Sequence, residues 1–254
     1  MCMKLEIYIL NRFIKVINCG CPNSHNKNNL GGSEMNELLL IAEIAIFFGG
    51  LLVIKKFYGV NGLFAWITIA TCLAEIQVCK SITILGIGTS MGNVLFASTF
   101  LATDMIRENY GNEFAKKGPM FSLLGALIYV VFAFITPIFI PADFDLAQSS
   151  MKVLFSLSLR VTVSSVVMLF VANLLDVFLY DKLYEKMNGK KMWLRNNICT
   201  IICNCTENYI FTFLAFYGVF DLKTVILIAN SATLIEMLIA LLDTPFLYLS
   251  KRIK

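Results

Sequence analysis

The chain has 254 residues, 58% of them apolar and only 15% charged, with a mean hydropathy of +0.75. A soluble domain carries about 25% charged residues, so the composition excludes a soluble globular protein and gives an integral membrane one. A net charge of +4 spread over loops is too small to suggest nucleic acid as a partner.

Residues 1–34 mix Lys, Asn, Gly and Cys, and their apolar run, Leu5 to Ile17, is broken by Asn11, Arg12 and Lys15. That run is too short and charged to span a bilayer and lacks the long apolar core of a signal peptide. A regular pattern opens at Met35. The expectation is a disordered tail or a mis-assigned start over 1–34, then a transmembrane domain over 35–254.

From Met35 onward, apolar segments of spanning length cover roughly 36–54, 62–80, 83–105, 120–140, 152–179, 195–219 and 222–248. Each supplies the ~20 residues that a hydrocarbon layer of about 30 Å demands. The expected fold is all-α, a polytopic helical bundle of about seven transmembrane helices. Turn signals lie at Tyr58–Gly62, Pro141–Asp145 and Tyr217–Gly218. Gly86, Gly88 and Gly92 make the third segment the one most open to a break near its start.

Basic residues orient the bundle. Lys55, Lys56, Arg107, Lys116, Lys117, Lys182, Lys186, Lys190, Lys191, Arg195, Lys251, Arg252 and Lys254 share one set of alternate loops and the C-terminus. The opposite loops hold only Lys80, Lys152 and Lys223. Such a bias predicts a cytoplasmic C-terminus and an N-terminus outside.

The third segment runs into Thr99-Phe-Leu-Ala-Thr-Asp-Met-Ile-Arg-Glu-Asn-Tyr-Gly111. Asp104 and Glu108 stand four residues apart near a helix C-terminus, where like charges repel and the helix dipole disfavours acids. Arg107, Lys116 and Lys117 are the nearby cations expected to offset them.

Polar stripes mark the interior. Asn197, Thr200, Asn204, Glu207 and Phe211 follow steps of three and four and line one helix face, as do Asn230, Thr233, Glu236, Ala240 and Asp243. Thr68, Thr71 and Glu75 form a shorter stripe, and the fifth segment carries Arg160, Asn173 and Asp176. Interhelical hydrogen bonding, worth about 0.6 kcal/mol on average, accounts for the hydroxyl residues. An acid near the bilayer centre costs about 3 kcal/mol to insert, so Glu75, Glu207 and Glu236 are candidates for a site.

Cysteine and histidine add no further chemistry. Cys72, Cys79, Cys199, Cys203 and Cys205 lie inside apolar helices, where cysteine behaves as a small hydrophobe. Cys199, Cys203 and Cys205 lack a histidine partner for a metal site, because the only histidine is His25 in the tail. No cofactor is implied.

Four motifs in order carry a resemblance. They are Ala102-Thr-Asp104 followed by Glu108 and Tyr110-Gly111; Asn173 to Asp176; Arg195 through Phe211, with Thr200 and Asn204; and Asp243-Thr-Pro-Phe246 with Tyr248. Together, over about 62–254, they resemble the queuosine precursor transporter family. This family, also called the vitamin uptake transporters, is similar in fold to S components of ECF-type transporters. The first segment, 36–54, is additional to a six-helix family core. Two positions depart from the family's pattern: Glu207 stands where Asp is usual, and Glu236 where Lys is usual.

The resemblance implies a membrane importer of 7-deazaguanine bases, with Glu207 accepting the two adjacent donors of a guanine-like edge. Asn204 would read the neighbouring carbonyl and Phe211 would stack on the base. Glu236 favours a cationic amine on the base, unless it pairs internally with Arg160. Glu75, Thr200 and Asn93 complete the candidate substrate-binding set. Asp104, Arg107, Glu108, Asp176, Arg160, Asp243 and Pro245 form a candidate structural or gating set, with the two aspartates Asp104 and Asp176 paired to Arg107 or loop lysines.

Two other classes stay open at this point. One is an S component for a different vitamin working with energising subunits, docked on the small-residue face Ala42, Ala45 and Gly49. The other is a membrane assembly protein or intramembrane enzyme, although no membrane histidine and no Ser or Cys paired with a base favours catalysis.

Overall fold

The structure, a computed structural model, describes residues 30–155 and 159–253. The expectations for residues 1–29 lie outside the described residues. Helix α1 (Leu30–Gln77) has 48 residues and leaves helical geometry at Gly59 (φ 59°, ψ −141°). A straight helix would put Glu43 and Gln77 about 51 Å apart, yet Gln77 Nε2 donates to Glu43 Oε1 at 2.9 Å. Likewise the Phe47 and Trp66 rings lie 6.1 Å apart. The helix therefore folds back at Gly59 into two antiparallel arms, the first two expected spans. A left-handed φ suits glycine at that turn.

The next residues correct the third expected span. Ser81–Ile84 (β1) and Ile87–Ser90 (β2) form an antiparallel hairpin, turned by Leu85 and Gly86 with φ of 51° and 76°. Two successive positive φ values make a two-residue turn that matches strand twist. Isoleucines at 82 and 84 alternate with Ser81 and Thr83, a period-two pattern hidden inside an apolar window. Ile84 is buried in the core, and Asn36 Nδ2 ties the hairpin to the first arm through Thr83 O at 3.1 Å.

Helix α2 (Asn93–Tyr110) follows, then the short α3 (Asn112–Ala115), α4 (Gly118–Ile135), a 3-10 turn (Thr136–Ile138) and α5 (Gln148–Leu154). The long helices α6 (Leu159–Lys186), α7 (Met192–Phe216) and α8 (Leu222–Arg252) complete the chain. The fifth expected span, 152–179, takes in the end of α5 and, from Leu159, α6. Five stretches are long and apolar enough to cross a membrane. The one containing α1 crosses twice, and α2 adds a seventh crossing segment about 27 Å long at 1.5 Å per residue. Most of α2 is buried by its neighbours, which relaxes the demand for lipid-compatible side chains.

Six helices close into a ring in the order second arm of α1, α2, α8, α7, α6 and α4, with α4 returning to the second arm. Gly125 of α4 permits the last closure, since a Cβ there would lie 2.5 Å from Thr68 O. Phe64 and Phe121 stack across the same seam. The first arm lies outside this ring against α2 and α8, with the Phe48 and Phe246 rings 5.4 Å apart. Lys55 on that arm donates to Ser250 O and Ile253 O at 2.7 and 2.6 Å, capping the C-terminus of α8. Ala42 and Ala45 are exposed on its outer side. The ring has a hairpin end, where β1 and β2 sit, and a basic end, where α2, α6 and α8 terminate.

Candidate functional site

Towards the hairpin end three glutamates converge from three helices. Glu75 of the second arm is buried and accepts a hydrogen bond from Ser165 Oγ of α6 at 3.0 Å. Glu236 of α8 accepts from Asn208 Nδ2 of α7 at 2.6 Å. Glu207 of α7 is half-buried and feels both other carboxylates, and no hydrogen-bond donor reaches it among the described residues. The expected internal pair of Glu236 with Arg160 is not formed. Arg160 instead donates to Leu214 O at 2.6 Å and Tyr217 O at 2.9 Å, where it caps the negative end of α7.

The α7 stripe faces inward as its spacing predicts. Asn197, Thr200 and Asn204 are buried, and Glu207 and Phe211 are half-buried. Thr200 donates back to Asn196 O of its own helix at 3.0 Å, whereas Asn197 joins α7 to α8 through Thr244 Oγ1 at 3.0 Å. Asn204, one turn from Glu207, makes no hydrogen bond to the described residues. The Phe211 ring meets Phe216 edge to face, with centroids 6.0 Å apart. Asn93 stands apart from this group: its amide donates to Thr89 Oγ1 at 3.0 Å and its carbonyl lies 3.2 Å from Ser90 Oγ, fixing the hairpin to α2. On α8, Thr233, Glu236, Ala240 and Asp243 turn inward, whereas Asn230 is exposed and bonds Tyr209.

Towards the basic end lies a second acidic group. Asp104 of α2, Asp176 of α6 and Asp243 of α8 are each 1% exposed and within electrostatic reach of one another. Arg107 does not pair with Asp104 or Asp176 as expected. It pairs with Asp181 at 2.6 Å and donates to Asn112 Oδ1 and Val177 O. Asp243 accepts from Asn196 Nδ2 at 2.7 Å, and Cys203 Sγ lies 3.9 Å from Asp176. Seven residues of helix separate Glu236 from Asp243, so the two acidic tiers stand about 10 Å apart along the bundle axis.

Glu108 is held by residues far away in sequence. Arg195, fully buried, and Lys251 both form ion pairs with it, and Tyr180 donates to it at 3.1 Å. Lys116 pairs with Glu113 at 2.8 Å, which draws the exposed Glu113 carboxyl below its usual range. Arg107 and Lys116 thus bond elsewhere, although Arg107 stays within electrostatic reach of Asp104 and Asp176. Pro245 sits on the exposed side of α8, which continues to Arg252.

Sequence reasoning missed Ser165, Asn208 and Asn196, the donors to the buried acids, and the inward role of Arg195. Asn208 and Asn196 each adjoin a stripe residue, which was the available signal. For Ser165 there was none, because its partner Glu75 lies 90 positions away.

Residues 90–250 match the family model described as "Putative vitamin uptake transporter". The chain belongs to this family. It is also 31% identical, over 204 residues, to the "Probable queuosine precursor transporter" of Bacillus subtilis (strain 168), covering 79% of this chain and 88% of that protein. No solved structure matches the chain. The vitamin uptake transporter match runs from Ser90, the last residue of β2, to Ser250 near the end of α8, and holds every ring helix except the second arm of α1. The protein is a multi-pass membrane transporter whose substrate is a small molecule.

Proposed function

We propose that the protein imports queuosine precursors, and that it prefers 7-deazaguanine bases bearing a protonated amine, the aminomethyl base or queuine. The observation that carries this reading is the hairpin-end tier: three carboxylates, two of them held by single neutral donors, with no cation paired to them among the described residues. An unpaired acid in a low-dielectric interior is costly, and a ligand that brings donors and positive charge removes that cost. Glu207 accepts the two adjacent donors of the guanine edge in a bidentate pair. Asn204 reads the neighbouring carbonyl, Phe211 stacks on the ring, and Glu236 and Glu75 face the ammonium. The relative's description as a queuosine precursor transporter supports the same substrate class.

The direct test uses cells unable to make queuosine, fed each base in turn. Expression of this chain should restore the modified nucleoside in tRNA with the aminomethyl base or queuine at lower supply than with the neutral cyano base. Failure with every base would overturn the reading. Glu236→Lys changes the local charge by two units, and should shift preference in competition uptake towards the cyano base. An equal loss for all bases would instead give Glu236 a purely structural role.

We infer from the basic residues that the basic end faces the cytoplasm. A reporter fused after Lys254 should report cytoplasm, and one in the Pro141–Asp145 loop should report the outside. A C-terminus found outside would reverse the direction of transport proposed here.

A further inference from the structure

The basic-end tier is a separate site with its own chemistry. Asp104, Asp176 and Asp243 come from three helices, and each is almost wholly removed from solvent. Their surroundings contain more acceptors than donors. Asp104 Oδ2, Asp176 Oδ2, Asn173 Oδ1 and Asn196 Oδ1 are all buried without a hydrogen-bond partner. Asn173 lies one turn from Asp176, and Asn196 is bonded to Asp243.

The groups facing the tier from each helix set one cation against its three carboxylates. On α2, Arg107 lies within electrostatic reach of Asp104 and Asp176 but bonds Asp181, and Glu108 is itself acidic. Tyr180 of α6 donates to Glu108, and Arg195 of α7 pairs with that same Glu108. Cys199 and Cys203 of α7 feel the aspartates but carry no positive charge. Lys55 of α1 and Lys251 of α8 are spent on α8 carbonyls and on Glu108.

Three buried carboxylates within electrostatic reach of one another in a weakly screening interior do not all remain ionised. A proton on one of them also supplies the missing donor, since a protonated carboxyl can donate to a neighbouring free oxygen. Intramembrane carboxylates of this kind serve as proton relays in transporters.

We propose that Asp104, Asp176 and Asp243 form a proton-binding site, distinct from the glutamate tier, through which a proton gradient drives uptake. At least one proton is shared in the tier at neutral pH. It enters from the hairpin end with substrate and leaves at the basic end, so substrate and proton move together. The α7 stripe of Thr200, Asn204 and Glu207 connects the tiers. The coupling half of this proposal rests on the substrate reading above, whereas the proton site does not.

Two measurements separate the halves. Infrared spectra of the full chain in nanodiscs, with the aspartate side-chain carboxyl labelled with carbon-13, should show an isotope-shifted protonated-carboxyl band at pH 7. The band should fade on raising the pH and shrink in Asp104→Asn. Asp176→Asn serves as a second variant should the first fail to fold. Absence of the labelled band in the wild-type chain would overturn the proton site, and its loss on adding sodium at constant ionic strength would reassign the tier to that ion. In proteoliposomes an inward proton gradient should accelerate accumulation of labelled aminomethyl base at least fivefold. Asp104→Asn should keep counterflow exchange while losing that acceleration. Wild-type uptake indifferent to the gradient would overturn coupling. Absence of transport of any base would instead overturn the substrate reading and leave the infrared band to decide the proton site.

Discussion

Glu207→Gln is expected to weaken uptake of the aminomethyl base at least tenfold in apparent affinity. The substitution preserves size and one acceptor oxygen but replaces the other with a donor aimed at the base's own donors. Hydrogen bonds to a charged group contribute on the order of 1.5–3 kcal/mol, and each 1.4 kcal/mol is about a factor of ten. Glu207 alone in its tier lacks a donor among the described residues, so the loss falls on substrate and not on helix packing. Glu207→Asp, which keeps the charge and shortens the side chain by one methylene, should retain much of the uptake. A well-expressed Glu207→Gln chain with normal concentration dependence would refute the assignment.

The largest stability loss is expected from Arg195→Met. Arg195 is fully buried, pairs with Glu108, donates to Lys190 O and lies over the Tyr180 and Tyr184 rings, 5.4 and 4.8 Å from their centroids. Removing one partner of a buried ion pair costs about 3–5 kcal/mol, because the other is left uncompensated. Lys251 also reaches Glu108 but is 45% exposed, so the lower part of that range, about 3 kcal/mol, is expected. Unfolding titrations in mixed micelles measure it. In Arg195→Met/Glu108→Gln much of the loss should return, because no charge is then stranded. A loss under about 1 kcal/mol in the single variant would mean that Lys251 and Tyr180 suffice to hold Glu108.

Most of the crossing segments were legible because the bilayer imposes one length on every span, and a run of apolar residues declares it. The fold-back at Gly59 was legible too, since the Tyr58–Gly62 run carries its own turn signal. The hairpin of β1 and β2 was not read. Its alternation of Ile with Ser and Thr occupies only Ser81–Ile84, and the same residues also fit an apolar window of spanning length. Hydrophobicity averaged over twenty positions erases a period of two.

The sequence by itself determined the class of the protein, the inward faces of α7 and α8, and the collection of basic residues at one end. These follow from composition, a 3.6-residue period and chain order, which need no knowledge of neighbours. Only the tertiary structure decided which partner each polar group meets. Arg107 passes over the adjacent acids for Asp181, and Arg160 caps a helix instead of meeting Glu236. Glu108 draws its cations from α7 and α8. Helix periodicity fixes the direction in which a side chain points, but the helix it meets is set by the order of packing around the ring. That order also gathers Asp104, Asp176 and Asp243, spread over 139 positions of sequence, into a single buried tier.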